Sequence, residues 1–291
     1  MEIVATCARQ QERAEAAAAL WGAAAAFDRV DAMLSAVELD GAIVSVPLSA
    51  YAEIVRSCVK LSVPVFCEKP DASSAAEAME LADLAVQTQT PVVVGYMKRF
   101  APASRRARDL ITATEFGPPS LGAFTFAMGT WPEGGLRDYL IDNPVHHLDL
   151  ARYLLGELGS VEVRVVSTDS GFALAVIASA ASGAVCTLNF CTTASWVQRN
   201  EYVEIYGAGH AVWVENVDTC VDRPPDQPAQ IWPPNHTVPS RDNSSAVTMG
   251  FVLVLSHFRE VVEGRVDNQS DLRSAAATLA LAERLCSLVG V

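Results

Sequence analysis

Val65-Phe66-Cys67-Glu68-Lys69-Pro70 joins a short apolar run to a charged turn. An uninterrupted run of this kind reads as a strand buried on both faces, as in a parallel sheet. Open α/β sheets bind their ligands at the carboxyl ends of the strands, so Lys69 stands where chemistry is usually done. Pro70 fixes its own φ and keeps Lys69 out of helical angles, which sends the ammonium off the strand in a defined direction. A lysine after a strand is by itself more often a solvated surface charge, so the weight rests on the surrounding chain.

Working outward, Val92-Val93-Val94 is a second buried strand, followed by the basic-aromatic turn Gly95-Tyr96-Met97-Lys98-Arg99-Phe100. Strands are also expected at 2–7 and 41–46, and helices at 11–21 (closed by Gly22), 30–36, up to 61, and 73–87. Strands separated by helical patterns of this length make parallel β-α-β units. After Pro102 the pattern changes, which places a domain boundary there and gives domains 1–101 and 102–291. A polar, basic helix is expected over 104–114. Strands at 121–128, 161–167, 174–180, 184–192, 202–207 and 210–214 have short connections, as in a largely antiparallel open sheet. Residues 222–245 hold six prolines and no periodicity, and read as a long loop. Helices over 249–263 and 271–289 close the chain.

A third piece lies between these sheets. Asp142-Asn143-Pro144-Val145-His146 is an Asp-x-x-x-His, and the helix that follows it ends at Gly156. One helical turn of spacing makes Asp142 and His146 face the same way if the turn is helical, with Pro144 tolerated in its first turn. Residues 129–139, with Trp131, Gly134-Gly135 and Arg137, read as a loop over the site because they lead into Asp142 and His146.

Glu68-Lys69-Pro70, the Tyr96-Met97-Lys98-Arg99-Phe100 turn and Asp142-x-x-x-His146, in this order, resemble the Gfo/Idh/MocA family of nicotinamide-dependent oxidoreductases over essentially the whole chain. The resemblance implies an α/β protein with a Rossmann domain and a C-terminal open-sheet α/β domain. It also implies Lys69, Asp142 and His146 as catalytic residues. His146 would act as general acid/base, and Lys69 would stabilise charge on the same substrate oxygen. Around the cofactor it implicates Pro47, Glu68, Lys69 and Tyr51, the last standing where family members often carry His. A Rossmann domain opens with a strand and Gly-x-Gly-x-x-Gly, which residues 1–291 do not contain. The sequence opens at what would be the second strand, so the Rossmann-like sheet is expected to be incomplete. Either the first β-α unit is absent from the protein, or the sequence begins downstream of the true start. If the chain is complete, nicotinamide binding is expected to be weak, because the pyrophosphate loses its backbone donors and helix dipole. Ala8-Arg9 lacks the carboxylate of an NAD site, and Arg9 resembles the guanidinium that meets the 2′-phosphate of NADP. The cofactor expectation is therefore NADP or NAD, or none in a non-redox reading.

Each residue has a plainer alternative. Arg9 is equally an ordinary surface residue. Tyr96, Lys98 and Arg99 are expected to shape the substrate pocket, against a salt bridge of Arg99 across the domain junction. Trp131 reads as pocket wall. His147, about 100° around the helix from His146, is a packing or hydrogen-bonding histidine before it is a substrate contact. Asp149 and Arg152 read as a helix-surface pair. His210, His236 and His257 stay unassigned.

Composition bounds the rest. At 291 residues, 51% hydrophobic and 19% charged, the chain is globular and long enough for two domains. A net charge of −13 argues against nucleic acid and anionic membrane surfaces. No run suggests a membrane span or a signal peptide. Seven scattered cysteines without Cys-x-x-Cys spacing suggest buried thiols in a reducing cytoplasm and no metal site. The resemblance implies a homodimer or homotetramer joined through the C-terminal sheet. Three functions stay open. One is an NAD(P)-dependent oxidoreductase acting on a secondary alcohol of a sugar, cyclitol or related small molecule. Another is a non-redox enzyme using the Lys/Asp/His site for proton transfer, elimination or cyclisation. The third is a non-catalytic binding relative, disfavoured by retention of all three residues.

Overall fold

The structure is a computed structural model that describes residues 1–70, 72–131, 134–197, 200–234 and 244–291. It divides into two compact units, Met1–Val94 with Ser256–Arg273, and Gly95–Leu255 with Ser274–Val291.

The N-terminal unit alternates strand and helix: β1 (Ala5–Cys7), α1 (Gln11–Trp21), β2 (Ala25–Phe27), α2 (Val30–Ala36), β3 (Ala42–Val44), α3 (Leu48–Lys60), β4 (Val65–Cys67), α4 (Ala75–Gln87) and β5 (Val92–Val94). Helix α1 stops where Gly22 turns left-handed at φ 72° and donates its N–H to Ala18 O. Helix α4 starts at Ser74, whose hydroxyl accepts from Glu77 N–H, while Glu77 reaches back to Ser73. Every residue of β4 and β5 is buried, as their unbroken apolar runs require.

All these strand pairs are parallel, but they form two sheets, β1-β2 and β3-β4-β5, where one sheet was expected. No strand among the described residues joins β1 to β3. The doubly wound order 3-2-1-4-5-6 with its first strand left out reads 3-2 and 4-5-6. That is the pairing seen here among the described residues. Strand β2 escaped the sequence reading because three residues are too few to show periodicity. The outer edge of β5 is taken by a segment from far along the chain: Val94 N–H donates to Ser270 O at 2.7 Å, and Ser270 Oγ donates to Val94 O at 2.7 Å. Asn268 Nδ2 donates to Val92 O at 2.8 Å.

The C-terminal unit begins with a 3₁₀ turn, Met97–Phe100, and α5 (Pro102–Thr112), with Pro102 at its first position. After β6 (Leu121–Ala127) come α6 (Leu136–Asp142) and α7 (Val145–Leu155). Seven strands follow: β7 (Leu158–Thr168), β8 (Gly171–Ala180), β9 (Val185–Cys191), β10 (Asn200–Gly207), β11 (His210–Glu215), β12 (Thr219–Arg223) and β13 (Gln230–Trp232). They make one eight-stranded sheet of order β13-β12-β11-β10-β6-β9-β8-β7, antiparallel except for β6–β9. Helix α7 packs on β6 and β9, and α5 packs on β11 and β12. Strand β8 shows why one face is the core: Leu174, Val176, Ala178 and Ala180 are buried, while Ala173, Ala175, Ile177 and Ser179 face out.

Helices α8 (Ser245–Thr248), α9 (Phe251–Val262) and α10 (Leu272–Val289) complete the chain. The helix expected over 249–263 is present as α9, and Gly250, at φ 93°, separates it from the short α8, which was not expected. A Cβ at Gly250 would lie 2.1 Å from Met97 O. The loop expected over 222–245 instead carries the end of β12 and all of β13, a short edge strand between Pro228 and Pro233. Part of that loop, 235–243, lies outside the described residues. The loop expected over 129–139 is helical from Leu136.

Candidate active site

In the N-terminal unit the parallel register sets Val44 level with Cys67. Pro47 and Glu68-Lys69 therefore leave the sheet at the same end, the carboxyl end. Pro47 occupies the cap position of α3 at φ −57° and ψ 144°. Tyr51 lies one turn into α3 with 3% of its surface exposed, and its hydroxyl donates to Val44 O at 3.3 Å. Burial, then the neighbouring Cys67 and Glu68, push its phenol pKa up, so it stays a neutral donor. Burial also raises the Glu68 carboxyl, and adjacent Lys69 opposes this. Lys69 is half-buried, and the Lys69–Pro70 bond is cis. Arg9 is exposed just past the carboxyl end of β1.

In the C-terminal unit Asp142 is the last residue of α6 and His146 the second of α7. The two are therefore not on one continuous helix, the condition under which their spacing would make them face the same way. Pro144 caps α7, and having no N–H it cannot carry the α6 ladder onward. His146 is half-buried, with its ring edge-on to wholly buried Tyr96 at 6.0 Å and 84°. The Arg99 guanidinium lies 6.0 Å from the centre of the same Tyr96 ring.

Lys98 and Arg99 are both buried, and the protein takes up both charges internally. Lys98 Nζ pairs with Glu201 and stands 3.0 Å from His147 Nε2, which is 3.2 Å from Glu201 Oε2. His147 is stacked on Phe126 at 4.4 Å and 22°. Burial, then Lys98, pull its pKa down to about 4. Burial works against the Glu201 charge, but the Lys98 ammonium outweighs it and holds that carboxyl well below the usual range.

Arg99 forks onto Asp149, with Nε donating to Oδ2 at 2.6 Å and Nη2 paired with Oδ1. The salt bridge considered for Arg99 therefore exists, inside the C-terminal unit. Asp149 also accepts from Thr278 Oγ1 at 3.1 Å. Asp149 and Arg152 are not the surface pair their spacing suggested. Both are buried, and Arg152 bonds to Glu157 at 2.5 Å, Ser274 O at 2.7 Å and Thr278 Oγ1 at 2.5 Å. Each is drawn to a partner brought in by the fold, Arg99 from the 3₁₀ turn and Thr278 from α10.

Trp131 is half-buried and edge-on to Tyr139 at 5.7 Å, and Tyr139 is edge-on to Phe172 at 4.9 Å. Among the unassigned histidines, His210 Nε2 lies 2.5 Å from Asp222 Oδ1, and His257 Nε2 accepts from Gln269 N–H at 3.1 Å. His236 lies outside the described residues. Among the described residues no His/Cys/Asp/Glu group could hold a metal ion. All seven cysteines are thiols. No helix among the described residues is long and apolar enough to cross a membrane. Sequence reasoning missed Glu201 and Thr278. Each is a single polar residue in a regular strand or helix, and nothing local marks it as the partner of a distant charge.

Comparison with known proteins fits this geometry. Residues 1–96 match the model of the Gfo/Idh/MocA oxidoreductase family, described by its NAD-binding Rossmann fold. The chain is 29% identical over 161 residues to the rhizopine catabolism protein MocA of Rhizobium meliloti, a match covering 52% of this chain and 48% of that protein. It is 28% identical over 222 residues to D-apiose dehydrogenase of Paraburkholderia graminis, covering 71% and 59%. The chain thus spans about half to three fifths of these relatives' own length. In fold it is similar to a dehydrogenase from Chromobacterium violaceum, with TM-score 0.89, 22% identity, and 98% of this chain and 86% of that one covered. It is also similar to an oxidoreductase from Agrobacterium radiobacter solved with NAD+, L-tartaric acid and magnesium, with TM-score 0.79, 15% identity, and 98% and 87% covered. With Lys69 after β4 and Asp142-x-x-x-His146 leading into α7, the chain is similar to the Gfo/Idh/MocA oxidoreductases, whose NAD-binding Rossmann model its residues 1–96 match.

Proposed function

We propose that this protein is an NAD(P)-dependent dehydrogenase that oxidises a secondary alcohol of a sugar, cyclitol or related small molecule, or reduces the matching ketone. The observation that carries the reading is that the chain holds both Lys69, just past the carboxyl end of β4 in the N-terminal unit, and Asp142 and His146, where α6 gives way to α7 in the C-terminal unit. The names of the relatives, which include inositol 2-dehydrogenase and D-apiose dehydrogenase, point to the same substrate class. When bound, the nicotinamide supplies the hydride acceptor or donor. His146 takes the hydroxyl proton of the substrate, or returns it in the reverse direction. Lys69 donates a hydrogen bond to the same oxygen and stabilises its developing negative charge. Asp142 orients His146. Tyr96 supports the His146 ring from one edge, and Trp131 is proposed as pocket wall.

The residues present fit part of a dinucleotide. Pro47, Tyr51, Glu68 and Lys69 cluster at or near the carboxyl ends of β3 and β4, and Arg9 stands past β1. Residues 1–291 hold no Gly-x-Gly-x-x-Gly to cradle the pyrophosphate. Calorimetric titration with NADPH and NADH tests the reading. Binding of at least one is expected, with NADPH the tighter. Arg9→Ala should remove that preference, which a charge-assisted contact of about 1.5–3 kcal/mol would create. Binding of neither would move the assignment to a non-redox proton-transfer enzyme working with the same residues.

The exposed face of the eight-stranded sheet is proposed to join copies of this chain as a homodimer or homotetramer. Ile177 is 54% exposed, Val185 49% and Tyr202 42%, on strands β8, β9 and β10 of a sheet whose opposite face is packed by helices. Sedimentation velocity should show an oligomer that Ile177→Glu dissociates. A monomeric unmodified chain would refute this. Seven thiols support a cytoplasmic setting.

A further inference from the structure

A cavity of about 10 Å³ lies inside the C-terminal unit, lined by Ser104, His147, Leu150, Glu201, Val203 and Val214 among others. That is close to the space one water needs. Two polar atoms of residues on its wall, Ser104 Oγ and His147 Nδ1, are buried and have no hydrogen-bond partner among the described residues. Buried polar atoms are rarely left so, because each costs about 1–3 kcal/mol.

The other side of the His147 ring says which kind of group Nδ1 is. Nε2 lies 3.0 Å from Lys98 Nζ and 3.2 Å from Glu201 Oε2. A lysine ammonium is a donor only. Paired with Glu201 and this close to the ring, it uses one N–H on the carboxylate and another on the imidazole. Nε2 is then the acceptor, and the ring proton sits on Nδ1. Stacking on Phe126 keeps the ring from turning over freely. A buried Nδ1–H therefore needs an acceptor, Ser104 Oγ needs a partner, and the cavity has room for the one molecule that serves both.

We propose that Lys98, Glu201 and Ser104, the last through one internal water, hold His147 as the neutral Nδ1–H tautomer and so fix the first turn of α7. His146 is the neighbouring residue of that turn, which makes these three positioning residues for it. The proposal rests on the reading of His146 as proton carrier. The network reaches His146 from three elements distant in sequence: the 3₁₀ turn, α5 and β10. Lys98 thus acts through His147 rather than by touching the substrate.

Side-chain ¹⁵N NMR of the full-length protein tests the tautomer, with the His147 signals identified by their loss in His147→Gln. Nδ1 is expected protonated and Nε2 not, with the ring neutral down to about pH 4. Ser104→Ala should lower kcat roughly tenfold, the scale of a small misplacement of the acid/base, and leave KM for the nicotinamide unchanged. An Nε2–H tautomer, titration near the usual 6.5, or an unaltered kcat in Ser104→Ala would overturn the proposal. If the unmodified protein turns over no polyol with either nicotinamide, the activity reading fails instead, and the tautomer still decides the His147 network.

Discussion

Lys69→Ala and His146→Ala are each expected to lower kcat/KM at least ~10²-fold while the protein stays folded. The two losses have different origins. In the proposed reaction His146 carries a proton that must leave as the hydride does, and without it that proton goes to water along a poorly aligned path. In the same proposal Lys69 supplies a fixed positive charge to an oxygen that becomes more negative on the way to the transition state. A group stronger there than in the ground state acts on kcat. Lys69→Ala should therefore leave KM near its normal value, and Lys69→Arg should not restore the rate, because a planar fork does not replace a compact ammonium. Steady-state rates with a panel of polyols and NADP or NAD would decide it, and full activity in either alanine variant would sink the assignment.

Asp149→Ala is expected to destabilise the C-terminal unit by about 3–5 kcal/mol, the usual result of removing one member of a buried ion pair. Asp149 is wholly buried and Arg99 is 6% exposed, so the guanidinium would keep its charge with no carboxylate to meet it. Thr278 Oγ1 would lose this acceptor as well and keep only Ser274 O at 3.3 Å. Asp149 thus ties together the 3₁₀ turn, α7 and α10. The exposed pair Arg29–Asp31 gives the contrast, since its side chains are 70% and 66% exposed. Asp31→Ala should leave the urea midpoint where it is, because solvent screens such pairs. A midpoint for Asp149→Ala equal to that of the unmodified protein would show that the network holds nothing.

The parts of this fold that show in the sequence are those with local causes. Val65-Phe66-Cys67 and Val92-Val93-Val94 are buried on both faces, so their apolar runs are unbroken and easy to read. Helices α1 and α2 begin and end at the residues that pattern and Gly22 indicate. Strands β2 and β13 do not show, because at three residues each their pairing comes from neighbours rather than from their own pattern. The separation of α8 from α9 at Gly250 does not show either, since its cause is the backbone of Met97, which is remote in sequence. The same division runs through the site. The proposed Lys69, Asp142 and His146 rest on spacing and on the neighbouring Pro70 and Pro144. The destinations of Lys98, Arg99, Asp149 and Arg152 depend on Glu201, Ser274 and Thr278, which arrive through tertiary folding.

Val94 makes its two edge hydrogen bonds with Ser270, 176 residues further along. On the ribosome the chain emerges from its N-terminus, and domains ordinarily fold as they appear. The β3-β4-β5 sheet cannot finish in this way. Its outer strand stays uncovered until Asn268 and Ser270 have been made, and an uncovered strand edge is a template for pairing with another chain. Synthesis interrupted anywhere between residues 95 and 267 thus releases a fragment with that edge bare. The dependence on late residues places the growing chain, more than the finished protein, at risk of aggregation.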